Sequence, residues 1–331
     1  MSLPRVLVVS LGGTITMTSA TGPGAAAGIV PTLDANQLIE GMPQLERVAQ
    51  LSTTTLFGLP GASLTLPHLY ELARLLRDQF DAGMDGAVVV QGTDTIEETA
   101  FVLDMLHRSP QPVVVTGAMR GPQSPGADGP ANLLAAIVTA GSPVMQGKGV
   151  VAVLNDEIHA AQWVQKFHTT LASAFASPAG GPIGSVVEGQ VHSTLSQPRS
   201  AWIFAPEVRG PCEVALMPLG LGEDGRQLAS LAALGYAGAV VEGMGAGHIP
   251  AAAVDAVSRL VEQMPVVLAT RVRGGRVCTR TYGFAGSEID IIGRGVIPCG
   301  NLSSAKARML LTMLLANQAS PQAIRDCFAL Q

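Results

Sequence analysis

The sequence predicts an α/β protein with two domains: a larger N-terminal domain built on a doubly wound, mostly parallel sheet, and a smaller C-terminal α/β domain. Three observations support this prediction. A chain of 331 residues is too long for one ordinary core. Its short apolar runs lack polar alternation, as strands buried on both faces do. Stretches of helical period separate these runs, which is the alternation of a parallel sheet.

The N-terminal domain contains four apolar runs and three helical stretches. The runs predict strands at residues 6–9, 87–90, 113–115 and 150–154. The helical stretches predict helices at residues 66–80, 96–107 and 130–140. Thr95 followed by Glu98 fits a capping box at the start of the second helix, and Asp128 fits an N-cap of the third.

A break in periodicity separates the two domains. From about residue 193 to 213 the pattern fades, and Pro198, Pro206 and Pro211 punctuate the stretch. We therefore expect an N-terminal domain at 1–193, a linker at 194–213 and a smaller domain at 214–331. In the smaller domain, apolar runs predict strands at 214–217, 238–242 and 265–269, and helices are expected near 224–234, 250–263 and 303–318.

Composition and charge exclude several classes of protein. The formal net charge of -5 gives no general attraction to nucleic acid or to anionic membranes. Every apolar stretch is interrupted before the roughly 18 residues that a membrane helix needs, and no signal-peptide layout is present, so a cytoplasmic protein is expected. The four cysteines form no CxxC pair, which argues against a zinc site. With 47% hydrophobic and 14% charged residues, oligomeric burial is expected.

Residues 88–101, VVVQGTDTIEETAF, place a polar turn at the end of a buried strand. Gly92, Thr93 and Asp94 fall at the carboxyl edge of the sheet, where open α/β sheets bind ligands. Gly92 permits a close backbone approach, and the amides that follow it lie at a helix start. Such a turn offers an oxyanion donor, a hydroxyl and a carboxylate together. The alternative is that Thr93 and Asp94 only satisfy hydrogen bonds of the turn.

A second turn of the same kind follows the first strand. Residues 6–16, VLVVSLGGTIT, contain Gly12-Gly13-Thr14, so Thr14 is expected at the same edge of the sheet. Two such turns suit acyl transfer, whereas LGGTIT lacks the GxGxxG spacing of a dinucleotide site. A hydroxyl nucleophile needs a base, and no GxSxG elbow is present, so another residue must supply that base.

Five segments together resemble the bacterial-type L-asparaginase family. They are LGGTI at 11–15, VVQGTDTIEETAF at 89–101, VVVTGAMR at 113–120, DGPANL at 128–133 and LSSAKAR at 302–308. The resemblance spans nearly the whole chain. It implies hydrolysis of the side-chain amide of L-asparagine to L-aspartate and ammonia, without metal or organic cofactor, by homotetramers assembled as dimers of dimers.

The resemblance also implies roles for individual residues. Thr14 matches the primary nucleophile of the family. Thr93, Asp94 and Lys166 match a second set, in which lysine activates the threonine and the aspartate is its partner. Asp94 would also bind the substrate ammonium. Held beside Asp94, Lys166 could move a proton at neutral pH.

Further positions are implied to bind substrate. Backbone amides near Gly92 and Thr93, or near Ala118, would stabilise the oxyanion. Glu288 matches a carboxylate that the family offers to the substrate ammonium of the neighbouring subunit, although a solvated loop carboxylate is an equal alternative. His248 falls where relatives have a small polar residue from the same partner chain, and we interpret it as a capping or interface histidine.

The chain departs from the family in two places that concern the site. The lid after the GGTI turn, residues 16–30, has no tyrosine, although GPGAAAG has the small residues of a flexible lid. In LPGASLTL, Gly61 and Ala62 replace side chains expected to bind the substrate α-carboxylate, and Ser63 is the residue that could compensate. These changes leave affinity and the choice of amide open.

Three alternatives therefore remain beside asparagine hydrolysis. The first is a preference for L-glutamine or another small amide. The second is a catalytically silent relative that binds an acidic amino acid as a sensor or regulatory subunit. The third is the amidase subunit of a tRNA-dependent amidotransferase, which the absence of a basic appended domain disfavours.

Overall fold

The computed structural model describes residues 2–13, 15, 17–19, 29–31, 34–195, 204 and 212–331. The chain divides into two compact units, Met1–Pro206 and Glu207–Gln331. Of the expected linker at 194–213, residues 196–203 and 205–211 lie outside the described residues.

The first unit combines a large sheet with four α-helices among its described residues. The helices are α1 (Ala35–Glu40), α2 (Leu66–Asp81), α3 (Ile96–Leu106) and α4 (Gly129–Ala140). The strands are β1 (Arg5–Ser10), β2 (Met17–Ser19), β3 (Ile29–Pro31), β4 (Gln50–Thr55), β5 (Gly86–Val90), β6 (Val113–Thr116), β7 (Val150–Leu154), β8 (Glu157–Ala160), β9 (Gln165–Lys166), β10 (Phe175–Ala176), β11 (Gly184–Val187) and β12 (Gln190–Ser193).

The order of the strands creates a reversal in the winding of the sheet. The order is β12-β11-β8-β7-β6-β5-β1-β4. Strands β4, β1, β5, β6 and β7 are parallel, and the pairs that add β8, β11 and β12 are antiparallel. In the parallel part, the first strand lies between the second and the third, so the winding reverses between β1 and β5. The carboxyl ends of β1 and β5 therefore flank the crevice where such sheets bind ligands.

Both faces of this sheet are covered by helices. Along β1, Val6 and Val8 belong to a buried cluster that contains residues of α1 and α4. Leu7 and Val9 point to the opposite face and belong to a second cluster, with residues of α2 and α3. The period-2 alternation of strand side chains thus divides one strand between two cores. The predicted doubly wound sheet, with its four central strands and three long helices, is confirmed.

Thr95 and Asp128 occupy the predicted N-cap positions of α3 and α4, but neither side chain makes a cap hydrogen bond. Thr95 precedes α3, but its side chain makes no cap hydrogen bond and its hydroxyl donates instead to the C=O of Gly61, at 2.9 Å. A 3-10 turn at Thr93–Thr95 leads into the helix. The Asp128 carboxylate likewise accepts no backbone N–H of α4, although the side chain of Asn132 in that helix donates to its Oδ2 at 3.2 Å. In both cases the side chain holds a neighbouring loop.

The second unit is a smaller parallel sheet with helices. Its strands, in sheet order, are β13 (Val214–Pro218), β14 (Gly238–Gly243), β15 (Val266–Thr270) and β16 (Ile297–Pro298). Its α-helices are α5 (Val254–Val261), α6 (Glu288–Gly293), α7 (Ser304–Ala316) and α8 (Pro321–Ala329). The predicted smaller α/β domain is confirmed. The helix expected near 224–234 is wrong, because only a 3-10 turn forms there, at Arg226–Ser230.

Candidate active site

Three glycine-containing turns meet at the carboxyl ends of β1, β4 and β5. A Cβ atom on Gly13 would lie 2.1 Å from the backbone nitrogen of Gly92, and one on Gly61 would lie 2.8 Å from the Gly92 carbonyl oxygen. Gly13 also has a φ of +94°, a conformation that favours glycine. Because backbone packs directly on backbone here, these positions exclude side chains. The predicted close approach at Gly92 is therefore a contact between turns of the protein itself.

Thr93, Asp94 and Lys166 form one hydrogen-bonded cluster beside these turns. The Lys166 Nζ donates to Thr93 Oγ1 at 2.9 Å and to Asp94 Oδ1 at 3.0 Å. Thr93 is buried, with 6% of its surface exposed. The Lys166 side chain is 18% exposed, whereas that of Asp94 is 63% exposed. The cluster thus places a buried hydroxyl, an amine and an accessible carboxylate within contact of one another.

Lys166 lies 72 residues after Asp94 in the sequence, and two hairpins bring it to this position. Asn155 and Asp156 have φ values of 53° and 59° and connect β7 to β8, as in a tight two-residue hairpin. Lys166 lies on the next strand, β9, where it pairs with Phe175 of β10. Phe175 is buried in the core, and it therefore anchors the short hairpin that carries the lysine.

The loop after β6 lies against the Thr93 turn. A Cβ atom on Gly117 would lie 2.4 Å from the carbonyl oxygen of Gln91 and 3.3 Å from Thr93 Cγ2. Ala118, the next residue, is buried. The structure thus brings the loop of Ala118 next to the cluster, a contact that composition and periodicity did not predict.

Gln91 and Thr95 form a polar link that the sequence analysis missed. The Gln91 Nε2 donates to the C=O of Gly92 at 3.1 Å and to Thr95 Oγ1 at 3.2 Å. Thr95 in turn donates to the C=O of Gly61. Gln91 is fully buried, which makes these bonds costly to lose. Both residues lie within the quoted VVQGTDT motif, and a buried glutamine after an apolar strand is the signal that could have identified them.

The remaining residues expected after β1 and β4 are only partly described. Ser63 lies on the exposed end of a 3-10 turn at Gly61–Ser63, on the same turn as Gly61. Thr14 lies outside the described residues, as do residues 16 and 20–28 of the expected lid. The described part of the site therefore consists of the Thr93 cluster and the turns beside it.

Glu288 belongs to the second unit, where it is fully buried at the start of α6. Its Oε1 accepts the N–H groups of Thr281 at 2.9 Å and Tyr282 at 2.8 Å. Its Oε2 lies 3.3 Å from His248 Nε2. Burial raises the pKa of Glu288, but the N–H groups of Tyr282 and Thr281 and the nearby His248 outweigh it, so the pKa lies below its ordinary value. The solvated loop carboxylate considered above is therefore wrong.

The Thr93 cluster has the parts that nucleophilic acyl transfer requires. A hydroxyl becomes a nucleophile when an adjacent base accepts its proton, and a third group orients the base. Lys166 is within reach of the Thr93 hydroxyl, and Asp94 contacts the lysine. In the described part of the chain, no three His, Cys, Asp or Glu side chains converge as a metal site, and no helix is both long and apolar enough to cross a membrane.

Comparison with known proteins identifies relatives over the full length. The family models "Asparaginase, N-terminal" and "Glutaminase/Asparaginase C-terminal domain" match residues 5–199 and 213–328. An L-asparaginase of Bacillus licheniformis is 33% identical over 98% of this chain and 98% of its own length. A probable L-asparaginase of Deinococcus radiodurans is 35% identical over 99% and 98%.

A solved structure agrees with the sequence relatives. The crystal structure of a probable cytoplasmic L-asparaginase from Campylobacter jejuni is 29% identical, with a TM-score of 0.88, and covers 98% of this chain and 99% of that one. A glutaminase-asparaginase of Pseudomonas aeruginosa and a probable periplasmic L-asparaginase of Haemophilus influenzae also match, at 29% and 30% identity. The chain therefore belongs to the asparaginase family, as its sequence motifs indicate.

Proposed function

We propose that this protein is an L-asparaginase that hydrolyses the side-chain amide of L-asparagine to L-aspartate and ammonia. The observation that carries the proposal is the contact of Lys166 Nζ with both Thr93 Oγ1 and Asp94 Oδ1, at 2.9 and 3.0 Å. This cluster lies at the reversal of the sheet in a chain of the asparaginase family. The relatives are named L-asparaginases, and their reaction class is the hydrolysis of an amide bond.

The proposed reaction uses a threonine hydroxyl to attack the amide carbon. Lys166 in its neutral form takes the proton of Thr93, and Asp94 stabilises the ammonium that results. The attacking oxygen is that of Thr93, or that of Thr14, the primary nucleophile by family resemblance; when Thr14 attacks, its hydroxyl proton passes to the Thr93 oxygen, which has given its own proton to Lys166. The amide nitrogen leaves as ammonia with a proton from the cluster. Water then cleaves the threonine ester and releases L-aspartate.

Substrate binding is proposed to use the groups around the cluster. Asp94 is accessible and is proposed to bind the substrate ammonium. Backbone amides at Gly92 and Thr93, or at Ala118, are proposed to stabilise the oxyanion that develops on the amide oxygen. Ser63 is the exposed hydroxyl on the turn where Gly61 and Ala62 lack polar side chains, and it is proposed to contact the α-carboxylate.

Assembly is proposed to be a homotetramer made of two dimers. The sequence combines 47% hydrophobic with only 14% charged residues, which favours burial between subunits. Glu288 is the residue proposed to reach a neighbouring subunit's substrate. Because its carboxylate is engaged by Thr281, Tyr282 and His248, this role requires at least one of those contacts to open. Light scattering of the purified protein tests the tetramer.

Glutamine is the second candidate substrate. A relative bears the name glutaminase-asparaginase, and at Gly61 and Ala62 the chain lacks the side chains expected to bind the substrate α-carboxylate, which leaves the choice of amide open. A cytoplasmic location is also proposed, because the similar solved structure is described as cytoplasmic, although one relative is described as periplasmic. Fractionation of cells followed by immunodetection decides the location.

The proposal is tested by measuring ammonia and L-aspartate released from L-asparagine by the purified protein near pH 8, with L-glutamine in parallel. Equal amounts of both products at submillimolar L-asparagine are expected. Release from L-glutamine alone would move the assignment to a glutaminase. Tight binding of L-aspartate without turnover of either amide by the folded protein would instead support the silent binding protein.

A further inference from the structure

The proposed reaction makes no use of Asp128, although its carboxylate is committed to the loop of Ala118. Asp128 Oδ2 accepts the N–H of Met119 at 2.9 Å, and Oδ1 accepts that of Arg120 at 2.8 Å. A carboxylate that accepts backbone N–H groups forms charge-assisted bonds, which are stronger than neutral ones. The two residues that follow Ala118 are thus fixed by one side chain.

Asn132 extends this hold to the other side of the same loop. Its Nδ2 donates to the C=O of Gly117 at 2.9 Å and to Asp128 Oδ2 at 3.2 Å. Its Oδ1 accepts the N–H of Asn155, in the β7–β8 turn, at 2.9 Å. Asn132 is buried, and its bond to Gly117 is made away from water. Asp128 and Asn132, which we call the α4 clamp, together hold the residues on both sides of Ala118.

Asp128 does not make the hydrogen bond that is usual for an aspartate at the start of a helix. Aspartate at a helix N-cap usually accepts an N–H of the first turn, which stabilises the helix. Asp128 sits at that position and makes no such bond. Both of its oxygens face the loop instead. The side chain therefore serves the position of the loop rather than the start of the helix.

The loop that the α4 clamp holds is the one that touches the reactive turn. Gly117 approaches Thr93 so closely that an added Cβ would lie 3.3 Å from its methyl group. On the other side, a Cβ on Gly129 would lie 3.4 Å from the Ala118 Cβ. Ala118 thus packs against the first turn of α4, while its neighbour Gly117 packs against the turn of Thr93. A small shift of the loop would move its backbone relative to the reacting amide.

We propose that Asp128 and Asn132 are positioning residues, which fix the backbone of Ala118 beside Thr93 for the amide hydrolysis proposed above. The inference rests on that function. A displacement of about 1 Å in a reacting group costs on the order of 100-fold in rate. Asp128→Asn is expected to lower kcat less than Asp128→Ala, because asparagine keeps one acceptor oxygen and alanine keeps none.

The test compares kcat, the Kd for L-aspartate and the melting temperature of these variants. The matched control is Asp104→Asn, because Asp104 also accepts a backbone N–H, that of Val150, but at the amino end of β7. We expect kcat to fall roughly 10-fold in Asp128→Asn and 100-fold in Asp128→Ala. Asp104→Asn is expected to keep kcat within about threefold. A folded Asp128→Ala with wild-type kcat, or an equal loss in the control, overturns the inference.

A second measurement is independent of turnover. Hydrogen exchange of the Met119 and Arg120 amides is expected to be slow in the wild type, fast for both in Asp128→Ala, and fast for only one of them in Asp128→Asn, which keeps one acceptor oxygen. Exchange of these amides at the rate of a free peptide in the wild type overturns the clamp even if a variant does not fold. A wild type with protected amides but no amide hydrolysis refutes the proposed function and leaves the clamp itself supported.

Discussion

Replacing Lys166 with methionine separates its chemical role from its structural one. The change removes the amine and its hydrogen bonds to Thr93 and Asp94, while the aliphatic part of the side chain remains. A positioned base contributes about 100- to 10,000-fold to a rate. We therefore expect kcat for L-asparagine to fall at least about 100-fold, which corresponds to about 2.7 kcal/mol of transition-state stabilisation.

The same structure limits the loss of stability. The Asp94 side chain is 63% exposed, and exposed ion pairs contribute about 0.2–1 kcal/mol. The bond to Thr93 adds about 1 kcal/mol. The loss of these two contacts is therefore expected to lower the free energy of unfolding by about 2 kcal/mol, which is less than the stability of an ordinary domain.

Ammonia release at saturating L-asparagine, with a thermal melt of each protein, measures both quantities. Lys148→Met is the matched control, because Lys148 is a partly buried lysine in the loop before β7 and makes no contact with the cluster. Lys166→Arg keeps the positive charge but cannot give up a proton, so it is expected to be as slow as Lys166→Met. A folded Lys166→Met with more than a tenth of wild-type kcat would refute the role of base.

Three further predictions concern the hydroxyl, the glycine contacts and the buried carboxylate. Thr93→Ala is expected to lose more than about 100-fold in kcat while Thr93→Ser keeps measurable turnover, and equal rates would exclude a hydroxyl role. Gly13→Ala places a Cβ 2.1 Å from the Gly92 nitrogen and is expected to cost about 2–5 kcal/mol in urea unfolding, whereas Gly147→Ala, with a φ of +76° and open space, costs about 1–2 kcal/mol. The pKa of Glu288 is lower in the folded protein than in the unfolded chain, so its negative charge stabilises the fold at neutral pH. This stabilisation is lost as the pH falls through the pKa of the folded state. The difference in melting temperature between the wild type and Glu288→Gln should therefore shrink on acidification, and a constant difference would contradict the low pKa.

The buried strands and long helices could be predicted because one-dimensional patterns determine them. Residues 150–154, for example, form a strand as predicted, since a short, valine-rich apolar run is typical of a strand covered on both faces. The short strands β11 and β12 were not predicted, because their partly exposed, polar residues carry no strong period. The apolar pattern of residues 224–234 predicted a helix, but only a 3-10 turn forms, at residues 226–230. Gly225, with a φ of 70°, begins this tighter turn.

The candidate site could be predicted only in part. Thr93 and Asp94 follow from the rule that polar turns after buried strands reach the ligand edge of a sheet. Lys166 could not be assigned from periodicity, because its contact with Thr93 depends on two hairpins and on the anchoring of Phe175. Asp128 was interpreted as a cap, since the sequence does not show which of several N–H groups a carboxylate will accept.

The central claim is that Thr93 and Lys166 act as one catalytic unit, and a double-mutant cycle tests it most directly. The measurement is kcat for L-asparagine in the wild type, Thr93→Ala, Lys166→Met and the double variant. Residues that act as a unit are strongly non-additive, so the double variant is expected to be no slower than the slower single variant. Losses that multiply in the double variant would show two independent contributions and would contradict the proposed transfer of a proton from Thr93 to Lys166.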